Sequence, residues 1–277
     1  MNDVEDSTHD AEAVEPPPRK RRKGIYILPN LFTLAALFGG FYAIVMAMNG
    51  QFDSAAIGIF CAAVLDSLDG RVARMTNTQS AFGAEMDSLS DMVSFGAAPA
   101  LIVYEWAFKG LGKVGWAIAF LYCACGALRL ARFNTNLTIV DKRYFQGLPS
   151  PAAAALVVGF IWVVTDAQGS VAVNGDPLLS WSAAAFALYA GLTMVVNVPF
   201  YSFKDLSLKR TVPFIFIVLI AFGIALISTY PPAVVFGLFC LYGVSGYVVY
   251  AYKRAKGHRV SAIALSTDEP DEIGLHQ

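Results

Sequence analysis

The chain has 277 residues, of which 56% are hydrophobic and only 15% charged, and its formal net charge is −1. Soluble domains usually carry about 25% charged residues, so with a mean hydropathy of +0.55 the composition excludes a soluble globular enzyme and indicates an integral membrane protein. The net charge itself says little because the charges are unevenly placed, and no nucleic-acid partner is expected.

Residues 1–18 are polar and acidic and end in three prolines, which predicts a disordered tail. The basic run Arg19–Lys23 abuts the first apolar segment and reads as a topology anchor, with attraction to anionic lipid as a further role. No short apolar segment with a small-residue cleavage site precedes it, so no cleavable signal peptide is expected. Eight spans are predicted, at 27–48, 53–70, 83–104, 114–132, 150–166, 178–200, 212–229 and 232–252. The expected organisation is a tail with its basic anchor over 1–23, a transmembrane domain over 24–254 and a second tail over 255–277. Cys61, Cys123, Cys125 and Cys240 all fall in apolar segments without a CxxC pair or histidine neighbour, and are expected to be small buried residues.

Orientation follows from the basic residues. With the N-terminus in the cytoplasm, Lys109 and Lys113 alone lie on the far side, and 18 of the 20 Lys and Arg residues lie on the near side. That asymmetry favours eight spans with both termini cytoplasmic.

Within this apolar setting the second and third spans carry four aspartates. Asp66 and Asp69 are spaced i, i+3; Asp87 and Asp91 are spaced i, i+4. Each pair occupies one helix face, and antiparallel neighbours joined by a short loop bring the two pairs to one membrane depth. A carboxylate in hydrocarbon costs about 2.5–3.5 kcal/mol on insertion scales, so four together require neutralising cations. Oxygen ligands suit Mg²⁺, Mn²⁺ or Ca²⁺, and two ions about 3.5–4 Å apart are compatible with four carboxylates. Because Mg²⁺ commonly binds through a few carboxylates together with substrate phosphates, the cluster points to a metal–phosphate site. Gly70 and Gly83 leave space beside it, the start of the third span offers a helix N-terminus to an anion, and Arg74, placed on the connecting loop, can pair with phosphate. An ion or proton pathway is the competing reading of the same aspartates.

The pattern Asp66-x-x-Asp69-Gly70-x-x-Ala73-Arg74, eight residues, then Gly83-x-x-x-Asp87-x-x-x-Asp91 resembles the signature of the CDP-alcohol phosphatidyltransferases at every specified position. The runs SDMVSFGAAPA, GALRLARFN and FQGLPSPAAA, with the opening ILPNLFTLAALFGGF, resemble the bacterial membrane-integral phosphatidylserine synthases within that family. The resemblance covers roughly residues 25–165. It implies an all-α membrane fold of about eight helices, a six-helix core plus two C-terminal helices, usually as a homodimer in the bacterial inner membrane. It implies transfer of a phosphatidyl group from CDP-diacylglycerol to L-serine, with release of CMP and with Mg²⁺ or Mn²⁺ as cofactor. By position it implies that Asp66, Asp69 and Asp87 are metal ligands, and that Asp91 completes the metal site and is the general base.

The zwitterionic acceptor needs a counter-charge for its carboxylate. Arg129 and Arg132, at i, i+3 near the end of the fourth span, are candidates to bind the lipid phosphate or that carboxylate; snorkelling anchors are the alternative. Ser94 and Asn134 are candidate polar contacts. Gly147, Pro149 and Pro151 predict either irregular backbone bordering the pocket or a plain helix start. Two rivals stand beside this reading. A sister enzyme would use glycerol 3-phosphate or inositol phosphate, for which a denser basic pocket is expected. A cation transporter would need paired mid-membrane helix breaks, and no such pair is visible in the sequence.

Overall fold

The structure is a computed structural model and describes residues 27–76, 78, 80–135, 144–201 and 214–256. Both tails, the basic run at 19–23 and the loop charges Lys142, Arg143, Lys209 and Arg210 lie outside these residues.

The first two helices, α1 (Ile27–Met48) and α2 (Phe52–Met75), form a hairpin closed at 49–51, where Gly50 takes φ +74°. Their seam is built from small residues. Ala36, Ala43 and Ala47 are buried against Ala55, Ala56 and Ala62, and a Cβ on Gly39 would stand 3.1 Å from that of Ala62. Such seams let membrane helices approach backbone to backbone. At the closed end of the hairpin, Ser170 accepts from Phe52 N at 2.9 Å and the Thr165 hydroxyl bonds Asp53.

The next rod begins at Ser80, whose Oγ accepts from Gly83 N at 3.0 Å and caps α3 (Ala81–Asp91). It continues without leaving helical backbone angles through a π-helical turn (Met92–Ala97), α4 (Ala98–Val103) and a second π-helical turn (Tyr104–Phe108). Ser90 Oγ donates to Thr33 O at 3.2 Å and Ser94 Oγ to Ala36 O at 3.1 Å, which fixes the rod against α1. Then follow α5 (Lys113–Thr135), β1 (Tyr144–Gln146), α6 (Ser150–Gln168), α7 (Pro177–Val195), β2 (Pro199–Tyr201), α8 (Phe214–Thr229) and α9 (Pro231–Ala255). The two strands pair antiparallel, with Phe145 opposite Phe200 and Gln146 opposite Pro199.

The fold is therefore mostly helical, as the sequence implied, with one short two-stranded ribbon. Two boundaries move. Helix α2 continues past Gly70, so Arg74 sits in its last turn and not on a loop. The predicted sixth span overshoots: α7 ends at Val195, the chain leaves the helix through Asn197, and strand begins at Pro199. Cys125 is buried as expected, whereas Cys61 faces outward on α2.

Among the described residues, five helices are long and apolar enough to cross a membrane: Pro29–Met48, Lys113–Thr135, Ser150–Gln168, Pro177–Val195 and Pro231–Tyr252. With many exposed side chains such as Phe38, Phe41, Trp116 and Leu241, they make this a membrane protein. Helix α2 is long enough but carries Asp53, Asp66, Asp69, Arg71 and Arg74; α8 has only 16 residues.

Candidate active site

Two features of the local sequence create the site. The small-residue seam holds α2 close to α1, and the Ser90 and Ser94 bonds hold α3 to the other side of α1. The acidic ends of α2 and α3 therefore meet beside the start of α1. One carboxylate oxygen from each of Asp66, Asp69 and Asp87 lies within 4.8 Å of the others. Asp91, one turn along from Asp87, joins them through Asp66, whose carboxyl is in hydrogen-bonding range of both Asp87 and Asp91.

The surroundings orient this cluster. Thr33 Oγ1 donates to Asp69 Oδ2 at 2.7 Å, and Gly70 N–H also donates to the Asp69 carboxyl. Asp87 Oδ1 and Asp91 Oδ1 are buried without a hydrogen-bond partner. Buried polar atoms are nearly always paired, and two orphaned oxygens on one acidic cluster fit a divalent cation: the donor set is hard oxygen throughout. A cavity of about 250 Å³ opens beside it, lined by Asn30, Thr33, Asp69, Gly70, Arg74, Ser80, Gly83 and Asp87 among others. Gly70 keeps it wide, since an added Cβ would meet only Arg74 Nη1, at 3.7 Å. Gly83 lets α3 close on α1, since a Cβ there would reach 3.2 Å from Asn30 Oδ1. The capped N-terminus of α3 thus borders the cavity, as an anion site requires.

The two arginines part company. Arg129 is buried, donates through Nη1 to Ser150 Oγ at 2.8 Å and interacts with the charge of Asp91. Its Nε is buried without a partner. Arg132 instead gives its donors to carbonyls: Nη1 to Val195 O at 2.7 Å and to Asn197 Oδ1 at 2.9 Å, Nη2 to Gln146 O at 3.1 Å and Met194 O at 3.3 Å. It ties the end of α7 to the ribbon. The i, i+3 spacing put both on one face, but long side chains diverge once their tips find different acceptors. Ser94 is fully buried and bonds α1, away from the cavity. Asn134 is exposed, and its Nδ2 donates to Ser88 Oγ at 3.0 Å, next to Asp87. Gly147 takes φ +74°, and a Cβ would fall 2.3 Å from Met194 O. The 147–149 turn is therefore irregular backbone with a specific shape, and Pro149 precedes an ordinary helix start at Ser150.

Asn30, Thr33, Ser80 and Ser150 were not singled out from sequence. Asn30 and Thr33 carry a readable signal, since they are polar residues at i, i+3 in an otherwise apolar span.

The sequence profile of the CDP-alcohol phosphatidyltransferases matches residues 26–203. The chain belongs to that family. A curated CDP-diacylglycerol–serine O-phosphatidyltransferase from Helicobacter pylori is 38% identical over 221 residues, covering 79% of this chain and 90% of the relative. One of the same name from Methanocaldococcus jannaschii is 35% identical over 192 residues, covering 69% and 82%; one from Mycobacterium tuberculosis is 41% identical over 150 residues, covering 52% of each chain. In this phosphatidyltransferase the family match takes in all four aspartates, both arginines and the ribbon, and stops short of α8 and α9.

Proposed function

We propose that the chain transfers the phosphatidyl group of CDP-diacylglycerol to L-serine, giving phosphatidylserine and CMP. The observation that carries this reading is the convergence of four aspartates, with orphaned Asp87 and Asp91 oxygens, at a cavity lined by Asp69 and Asp87, with a buried arginine of unpaired Nε near enough to interact with Asp91. The names of the relatives support serine as acceptor.

Asp66, Asp69 and Asp87 would hold the divalent cation, with Asp91 completing a two-ion site. When bound, Mg²⁺ or Mn²⁺ neutralises the pyrophosphate and the departing CMP. The protein supplies the rest. Thr33 fixes Asp69. Arg74 and the N-terminus of α3 receive phosphate charge, and Gly70 and Gly83 leave room for the nucleotide. Asp91 takes the proton of the serine hydroxyl as that oxygen bonds the phosphatidyl phosphorus and the P–O bond to CMP breaks. Arg129 faces the serine carboxylate, Asn134 lines the mouth beside Ser88, and Arg132 holds the ribbon in place. The full topology in this reading has eight spans, both termini in the cytoplasm of a bacterial inner membrane, and a homodimeric assembly, which is what the family resemblance implies.

The acceptor is tested by supplying purified protein with CDP-diacylglycerol, Mn²⁺ and, separately, labelled serine, glycerol 3-phosphate and inositol phosphate. Serine is expected to give labelled lipid in step with CMP release. Transfer to inositol phosphate but not to serine would overturn the assignment, and cation flux in proteoliposomes without CMP release would favour a transporter.

A further inference from the structure

Helix α9 lies outside the stretch that matches the family profile, yet it is bound to the machinery of the site. Phe200 of β2 is fully buried. Its ring lies 5.6 Å from that of Tyr242 and 6.4 Å from that of Tyr247, centroid to centroid. Between them Gly246 leaves a notch that the ring fills so closely that a Cβ would come to 2.4 Å from it. Two hydrogen bonds flank the notch: Tyr242 Oη donates to Tyr201 O at 3.2 Å, and Tyr247 Oη pairs with Thr193 Oγ1 at 2.9 Å.

What α9 grips in this way leads directly to the acceptor side. Strand β2 pairs with β1, and Gly147 N and Leu148 N continue that connection to Val198 O and Thr193 O. Two residues on, Ser150 receives the hydrogen bond of Arg129, and Arg132 holds Gln146 from the other side. Tyr242 itself lies near enough to interact with the charge of Arg129.

We propose that α9 is a positioning element for the acceptor subsite: the notch formed by Tyr242, Gly246 and Tyr247 seats Phe200, and so sets the ribbon and the Ser150–Arg129 pair. The aspartates, Thr33 and Arg74 of the nucleotide side stand on α1, α2 and α3, apart from this notch; α9 meets α2 elsewhere, at Phe239 against Phe60, with ring centroids 6.4 Å apart. This inference rests on the phosphatidyltransferase reading above.

The test uses the full chain with Gly246→Leu, the milder Gly246→Ala and Tyr247→Phe, and Gly246→Leu combined with Phe200→Ala. Displacement of a substrate-orienting group by a fraction of an ångström to an ångström is costly. Gly246→Leu is expected to raise the serine KM about tenfold, with metal-dependent CDP-diacylglycerol binding within about twofold of wild type. The milder variants move the same way by less, and Phe200→Ala in the same chain relieves the effect by vacating the notch. Unchanged serine KM in the Gly246 variants overturns the proposal. So does a loss of nucleotide binding in step with turnover that Phe200→Ala does not relieve, which would mark α9 as general scaffolding. Failure of the serine assignment shows separately, in the wild type, as preference for another alcohol, and that alcohol's KM then becomes the readout for α9.

Discussion

Asp91→Asn is expected to lower turnover about a thousandfold while leaving CDP-diacylglycerol binding within a few-fold of wild type. The substitution keeps the size and shape of the side chain and removes its charge and its capacity to accept a proton; a positioned general base contributes about 10²–10⁴ in rate, while the trio of Asp66, Asp69 and Asp87 would still hold a cation for the nucleotide. The expectation is specific to Asp91 because of where it stands. It is one turn along from Asp87, outside the trio of mutually close oxygens formed by Asp66, Asp69 and Asp87. Its Oδ1 is buried with no protein partner, and it lies near enough to interact with the charge of Arg129. It thus adjoins both the acidic trio, through Asp66, and the buried Arg129. Single-turnover transfer from labelled CDP-diacylglycerol, set beside equilibrium binding of the same lipid, separates the two effects. Full activity in this variant would remove Asp91 as the base.

Asp69→Asn is expected to fail at an earlier step. Asp69 is the most buried member of the trio, and Thr33 together with Gly70 N–H aims its carboxylate. Residues that merely orient metal ligands change metal affinity by about 10–100-fold, so loss of a ligand charge should weaken Mn²⁺ binding by at least about a hundredfold. Nucleotide affinity should then lose its metal dependence. Calorimetric titration of Mn²⁺ with and without CDP measures both quantities. A variant that keeps wild-type metal dependence would show that Asp69 is not a ligand.

The sequence made the acidic site legible because it depends on helical periodicity. Asp66 with Asp69 and Asp87 with Asp91 had to share faces, and a short connection had to make the two helices antiparallel neighbours. The glycines at 70 and 83 were readable for the same reason. What escaped depends on tertiary partners. A three-residue strand such as Pro199–Tyr201 has no periodicity of its own, and it exists because β1 and the α9 notch meet it. Arg129 and Arg132 have equal spacing credentials and different fates, decided by Ser150 on one side and the carbonyl end of α7 on the other. Ser94 looked like a polar group near a site and proved to be a bond between helices. The π-helical turn directly after Asp91 is likewise invisible in the composition of Met92–Ala97, and π-turns of this kind often accompany functional sites.

The central claim is that carboxylates from α2 and α3 hold a divalent cation against the pyrophosphate of a lipid-linked nucleotide. Electron paramagnetic resonance of Mn²⁺ bound to the full chain, recorded with and without CDP-diacylglycerol, tests it most directly. The account predicts a phosphorus-31 hyperfine coupling of directly ligated phosphate that appears with the lipid and is lost in Asp66→Asn and Asp87→Asn. Mn²⁺ bound with no phosphorus coupling, or bound equally well in those variants, would contradict it.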